Sequence, residues 1–210
     1  MKKYIIIAGN IGAGKSTLVK HLCTALSWTP YYEPVSENPY LEDFYTDMKK
    51  WAYHSQLFFL SDRMAMHKEL QDNGGNVVQD RSIYEDAQIF ARNLYLQGQI
   101  KKRDFDTYWK MYKIAVSLLQ PPDLLVYLKA SVPSLEARIS RRNRDFESAI
   151  PRDYLQNLNG LYEEWTGSYK DSAKLVLNID DYDILNHKED LDYIISLVEE
   201  SLRGGQGELF

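Results

Sequence analysis

A single cysteine, Cys23, stands in a chain of 210 residues. No intramolecular disulfide can form, and such sparing use of cysteine fits a reducing cytoplasm. Cys23 itself reads as a small apolar helix residue rather than a nucleophile. The four histidines are scattered and show no zinc-type spacing. No apolar run approaches the roughly 18 residues of a membrane helix, and Tyr4–Ala8 is too short for a signal-peptide core, so no membrane partner is expected. Basic residues are outnumbered: 25 Lys and Arg against 30 Asp and Glu leave a net charge of −5. That argues against a nucleic acid polymer as partner while leaving room for a local basic pocket that holds phosphates. Internal repeats and domain-separating linkers are also missing.

What remains is a soluble globular composition, 44% hydrophobic and 26% charged, which suits one domain over residues 1–203 with a flexible tail at 204–210. Tyr4–Ala8 is a β-branched run ending at Gly9, as in a strand buried on both faces. Further strands are expected at Tyr31-Tyr32, 77–80, 124–128 and 175–179. Helices are expected at 15–27, 51–72, 82–97, 103–119, 134–142, 152–170 and 188–203. Strands alternating with helices predict an α/β fold with a five-stranded parallel sheet covered on both faces.

Gly9-Asn10-Ile11-Gly12-Ala13-Gly14-Lys15-Ser16 matches the phosphate-loop pattern and lies between a buried strand and an amphipathic helix. The glycines let the backbone curl so that N–H groups point at phosphate oxygens, and the helix adds the positive end of its dipole. Lys15 would reach the β- and γ-phosphates, Ser16 would ligate Mg²⁺, and Thr17 would place a hydroxyl near the α-phosphate. A nucleoside triphosphate site follows.

Three classes use such a loop. A GTPase switch should carry an Asn-Lys-x-Asp guanine reader, and Asn186-His187-Lys188-Glu189 misplaces the lysine. A motor ATPase should end a run of four apolar residues on an acid, which Val77-Val78-Gln79-Asp80 resembles only in part. A small-molecule kinase gains from Arg138, Arg141, Arg142 and Arg144, crowded into seven residues of an acidic chain. Arginines on a segment that leaves its helix near Asn143 suit an arginine-rich lid, closing over a phosphoryl group whose oxygens gain charge during transfer.

Together these segments resemble the deoxyribonucleoside kinases, which include deoxyadenosine, deoxyguanosine and deoxycytidine kinases. The likeness spans nearly the whole chain. It rests on Gly9–Thr17, Glu33-Pro34-Val35, the Tyr45…Gln56…Arg63 spacing, Asp80-Arg81-Ser82…Asp86, the arginine run and Glu147…Ile150-Pro151. Glu37-Asn38-Pro39-Tyr40-Leu41 with Phe44-Tyr45 is most similar to the short bacterial branch.

The resemblance implies a P-loop kinase fold and transfer of a phosphoryl group from ATP, with Mg²⁺, to the 5′-hydroxyl of a deoxyribonucleoside, in nucleotide salvage. Glu33 would take the hydroxyl proton, and Arg81 would bind Glu33 and the 5′-oxygen. Asp80, where the family often has the longer Glu, would help hold Mg²⁺. Tyr45 and Glu147 would bind the 3′-hydroxyl, and Gln56 a base edge. Arg63 and Asp86 would form the far wall of the base pocket, with Phe90 either stacking on the base or packing in the core. Arg142 and Arg144 would clasp the triphosphate, Arg138 would stand behind them, and Tyr182 would stack on the adenine of ATP. The family also implies a cytoplasmic homodimer, for which the aromatic segment 105–112 is a candidate contact or, equally, a core face. Deoxyadenosine is the favoured substrate, with deoxyguanosine or deoxycytidine as further candidates. Two other readings stay open: a nucleoside monophosphate kinase of the thymidylate kinase type, and a non-catalytic nucleotide-binding protein.

Overall fold

The computed structural model describes residues 2–33, 37–142 and 150–204. Arg144 and Glu147, and with them part of the expected lid, lie outside the described residues. Five parallel strands form one sheet in the order β2-β3-β1-β4-β5. They are β1 (Tyr4–Gly9), β2 (Thr29–Tyr31), β3 (Val77–Asp80), β4 (Leu124–Lys129) and β5 (Ala173–Asn178). In β1, Tyr4, Ile6 and Ala8 enter the core on one face while Ile5 and Ile7 enter the core on the other. Both sides are therefore apolar, and the strand reads as a continuous hydrophobic run rather than an alternating one.

One face is covered by α1 (Lys15–Leu26), α7 (Val132–Arg142) and α9 (Lys188–Gly204). The other is covered by α3 (Met48–Asp72), α6 (Lys102–Leu118) and α8 (Arg152–Ser168). Pairing Ile7 of β1 with Asp80 of β3, and Gly9 with Leu128 of β4, brings the carboxyl ends of the three central strands to one edge. In open parallel sheets that edge is where ligands bind.

Several boundaries differ from those expected. The second strand is Thr29–Tyr31, one residue short of Tyr32, because β2 pairs with β3 only as far as Tyr31 opposite Gln79. A short helix, α2 (Leu41–Thr46), fills a segment with no assigned element. Its apolar anchor is Phe44 alone among buried residues, too little for a periodic signal. Pro133 is the second residue of α7 rather than the residue before it. Ile179 begins a short 3₁₀ turn (Ile179–Asp181) instead of closing β5. The helix expected at 82–97 is three pieces: α4 (Ile83–Glu85), a π-helical turn (Asp86–Ala91) and α5 (Arg92–Leu96). Gly204, the first residue of the expected tail, belongs to α9, and the rest of that tail lies outside the described residues.

Candidate active site

The loop after β1 is built for close backbone approach. Gly12 sits at φ +82°, and a Cβ there would meet Ile139 Cγ1 at 2.9 Å and the Leu135 carbonyl at 3.0 Å. No other residue fits that left-handed turn against α7. Arg138 of α7 donates to the carbonyls of Ala13 (3.3 Å) and Ile179 (3.0 Å). It therefore ties the loop to α7 and to the end of β5. Asn10 ties the loop to α8, donating to the Leu155 carbonyl at 3.0 Å and to Asn159 Oδ1 at 2.7 Å.

Lys15 is buried, with Nζ 3.1 Å from the Asn10 carbonyl. Burial, and then the neighbouring Arg81 cation, lower its pKa to about 8. Ser16 donates its hydroxyl to Asp80 Oδ2, while Asp80 Oδ1 is buried with no hydrogen-bond partner among the described residues. A hydroxyl beside a carboxylate with an oxygen to spare suits a hard cation such as Mg²⁺, which takes few protein ligands and keeps several waters. Among the described residues no three His, Cys, Asp or Glu side chains cluster as a metal site.

Glu33 lies two residues beyond β2, where β2 and β3 end together. Its Oε1 accepts from Arg81 Nη1 and from Arg63 Nη2, both at 3.0 Å. Burial works to raise the Glu33 pKa, but the cations of Arg81, Arg63 and Lys15 outweigh it and hold the carboxyl below its usual range. Arg81 adopts φ +63°, a left-handed backbone that costs about 1–2 kcal/mol for a non-glycine residue. Its guanidinium lies 4.3 Å from the centre of the Phe90 ring, and its N–H donates to the Ile7 carbonyl at 3.1 Å. Those contacts and the Glu33 ion pair offset the strain.

A cleft at this edge is lined by Lys15, Ser16, Glu33, Tyr45, Gln56, Asp80, Arg81, Phe90 and Arg142, together with Phe44, Phe59 and Tyr154. Gln56 Oε1 is buried and unpartnered among the described residues. Phe90 lines the cleft and also belongs to the buried core cluster, at 7% exposure. Arg63 and Asp86 do not line the cleft. Arg63 is 1% exposed and Asp86 2%, and Arg63 Nε donates to Asp86 Oδ2 at 2.9 Å behind the lining side chains. A second cleft adjoins it at Gly12–Gly14 and is lined by Thr17, Arg138, Arg141, Arg142, Tyr182, Leu185 and Asn186. Arg142 lines both. The expected aromatic contact at 105–112 is largely core: Tyr108 and Tyr112 are buried, and Trp109 packs on the same cluster.

Sequence reasoning missed Tyr154, Phe44, Phe59 and Glu85. The first three carry no pattern of their own. Glu85 had one: Ser82-x-x-Glu85 is a capping box at a helix start, and both of its hydrogen bonds form.

A phosphate loop, a paired hydroxyl and carboxylate beside its lysine, and a second carboxylate across the cleft define a P-loop phosphotransferase. Residues 5–203 match the sequence profile of the deoxynucleoside kinases. A deoxyadenosine/deoxycytidine kinase of Bacillus subtilis is 36% identical over 204 residues, covering 96% of this chain and 94% of its own. A deoxyguanosine kinase of Lactobacillus acidophilus is 34% identical, covering 95% and 90%. Among solved structures, deoxyadenosine kinase from M. mycoides with dCMP and dCDP superposes with a TM-score of 0.84 at 31% identity, covering 94% of this chain and 99% of that one. The same enzyme with bound dATP gives 0.82. This chain belongs to the deoxynucleoside kinase family and is a deoxynucleoside kinase.

Proposed function

We propose that the protein transfers the γ-phosphoryl group of ATP to the 5′-hydroxyl of a deoxyribonucleoside, with deoxyadenosine the preferred acceptor. The observation that carries this reading is the placement of ionised Glu33 across the cleft from Lys15 and Ser16, paired to Arg81. A nucleoside monophosphate brings its own phosphate to that position, where the Glu33 carboxylate would repel it. This disfavours the thymidylate kinase type. Glu33, a candidate base paired to Arg81, and the Ser16–Asp80 pair go beyond what a non-catalytic binder requires.

The two arginines converge on Glu33 Oε1, which leaves Oε2 for the substrate hydroxyl in this reading. Phosphoryl transfer is largely dissociative, so Glu33 chiefly orients the hydroxyl and takes its proton late, and Arg81 steadies the 5′-oxygen. Ser16 and Asp80 would hold Mg²⁺, which neutralises charge on the phosphates when bound. Lys15 and Arg142 bind the transferring group and the donor phosphates. Outside the described residues, Arg144 would join the phosphate clasp and Glu147 would pair with Tyr45 on the 3′-hydroxyl. Gln56 and Phe90 meet the base, and Tyr182 covers the adenine of the donor in the second cleft.

No helix among the described residues is long and apolar enough to cross a membrane; the sparing use of cysteine supports a reducing compartment such as the cytoplasm. We also propose a homodimer, as the family resemblance implies, testable by sedimentation of the protein. The function is tested by ADP release with ATP and each of the four deoxynucleosides side by side. Turnover with a deoxynucleoside monophosphate but with no nucleoside would overturn it.

A further inference from the structure

Glu85 has no place in the chemistry just described, yet it is wholly buried beside it. Four donor groups converge on its two oxygens. Oε1 lies 3.1 Å from the Gly9 N–H and 2.9 Å from the Tyr162 hydroxyl. Oε2 lies 2.9 Å from the Ser82 N–H and 3.2 Å from its hydroxyl. Gly9 is the entry to the phosphate loop, Ser82 follows Asp80 and Arg81 directly, and Tyr162 belongs to α8. One carboxyl thus spans the two strand ends that present Lys15 and Asp80.

The hydroxyl of Tyr162 is also 2.8 Å from the Gly9 carbonyl. A phenol carries one proton. When Glu85 is ionised, both neighbours of that hydroxyl are acceptors and only one can be served. When Glu85 carries a proton on Oε1, it donates to Tyr162, whose own proton then goes to the Gly9 carbonyl. Every group is then satisfied, and the loop entry is held on both its N–H and its C=O.

We propose that Glu85 is a positioning residue for the phosphate-binding loop, clamping Gly9 to Ser82 through Tyr162, and that the clamp is complete only when Glu85 is protonated. The inference rests on the reading of this loop as the donor site. Burial raises the Glu85 pKa to about 7, against the pull of Arg81 and Lys15 and of its bonds from Gly9 and Tyr162. The groups facing it are Lys15 from α1, Arg81 after β3, Tyr162 from α8, Tyr127 from β4 and Tyr4 from β1. None of the three tyrosines ionises near neutrality, since burial raises each.

The test is steady-state kinetics across neutral pH, varying ATP and nucleoside separately, for wild type, Glu85→Gln, Glu85→Ala and Tyr162→Phe. In wild type the KM for ATP should rise as pH passes through about 7. Glu85→Gln, which donates to Tyr162 as the protonated acid does, should lose that inflection. ATP's own titration is common to both enzymes and cancels in the comparison. Glu85→Ala should raise the ATP KM about tenfold while the nucleoside KM moves less than about twofold. Tyr162→Phe lacks the hydroxyl through which the clamp runs, so its ATP KM should be raised at every pH and should lose the inflection. Superimposable profiles for wild type and Glu85→Gln would overturn the proposal, as would losses shared equally by both substrates. Should Glu85→Ala fail to fold, the two milder variants decide. A wild type without ATP turnover would instead sink the donor reading itself.

Discussion

Arg63 binds Glu33 and Asp86 at once, with Nη2 3.0 Å from Glu33 Oε1 and Nε 2.9 Å from Asp86 Oδ2. The residue expected to face the base therefore also holds the residue expected to accept the 5′-proton. Its charge is secured against burial by those two carboxylates, Asp86 first, which push its pKa upward. Asp86 is itself raised by burial, which Arg63 counters only in part.

Thymidine should be the poorest of the four deoxynucleosides. Adenine, guanine and cytosine offer an exocyclic amino group to a carboxylate, whereas thymine offers a carbonyl, and an unpaired buried group costs on the order of 1–3 kcal/mol. Because Asp86 stands behind the lining side chains, this discrimination requires Phe90 or Gln56 to yield to the base. Equal kcat/KM for thymidine and deoxyadenosine would exclude it.

Replacing Arg63 by Met together with Asp86 by Ala should raise relative thymidine activity while lowering kcat for every substrate. The general loss comes from Glu33, which keeps one arginine instead of two. A double variant with wild-type kcat for deoxyadenosine would show that the Arg63–Glu33 contact is without effect.

Glu33→Gln should lower kcat by about 10²-fold or more, the scale of a general base, with little change in nucleoside KM. The amide still accepts a hydrogen bond but takes no proton. A defect confined to KM would make Glu33 a binding residue only.

Glu33 also makes stability depend on pH. Its folded pKa is depressed below the usual carboxylate value, so its ion pairs stabilise fully above the unfolded pKa and are lost as pH falls through the folded one. Urea midpoints should decline on acidification below about pH 4.5. The decline should be shallower in Glu33→Gln.

Lys15→Ala should cut phosphoryl transfer by about 10²–10³-fold or more while circular dichroism stays native. In wild type, kcat/KM for ATP should fall as pH rises through about 8, where Lys15 loses its proton. The kcat profile should hold to higher pH, since bound phosphates keep the lysine charged. Coincident profiles would contradict that role.

The sheet and the phosphate loop were legible because their signals are local. A β-branched run, glycines at fixed offsets and a lysine–serine pair all sit within residues 4–17. The pairing of Glu33 with Arg81 was reached through the family resemblance. Other features arise from long-range packing. Lys15 opens α1 yet is buried, with Arg81 and Glu33 brought beside it from the ends of two other strands. The tie from Asn10 to Asn159 spans 149 residues and leaves no periodic trace. Nor does any sequence pattern mark the π turn at Asp86–Ala91, since each of its residues is acceptable in an ordinary α-helix.

That turn makes segment length matter more than composition. A π turn accommodates an added residue, so everything downstream is rotated by about 100° relative to an unbroken α-helix. Asp86 and Phe90 meet Arg63 and Arg81 on one side of the slip, while Asn93 and Leu94 are buried on the other. Deleting one residue within 86–91 would restore regular helix yet swing one of those two sets out of place. Point substitutions here should be tolerated far more widely than any change in residue number.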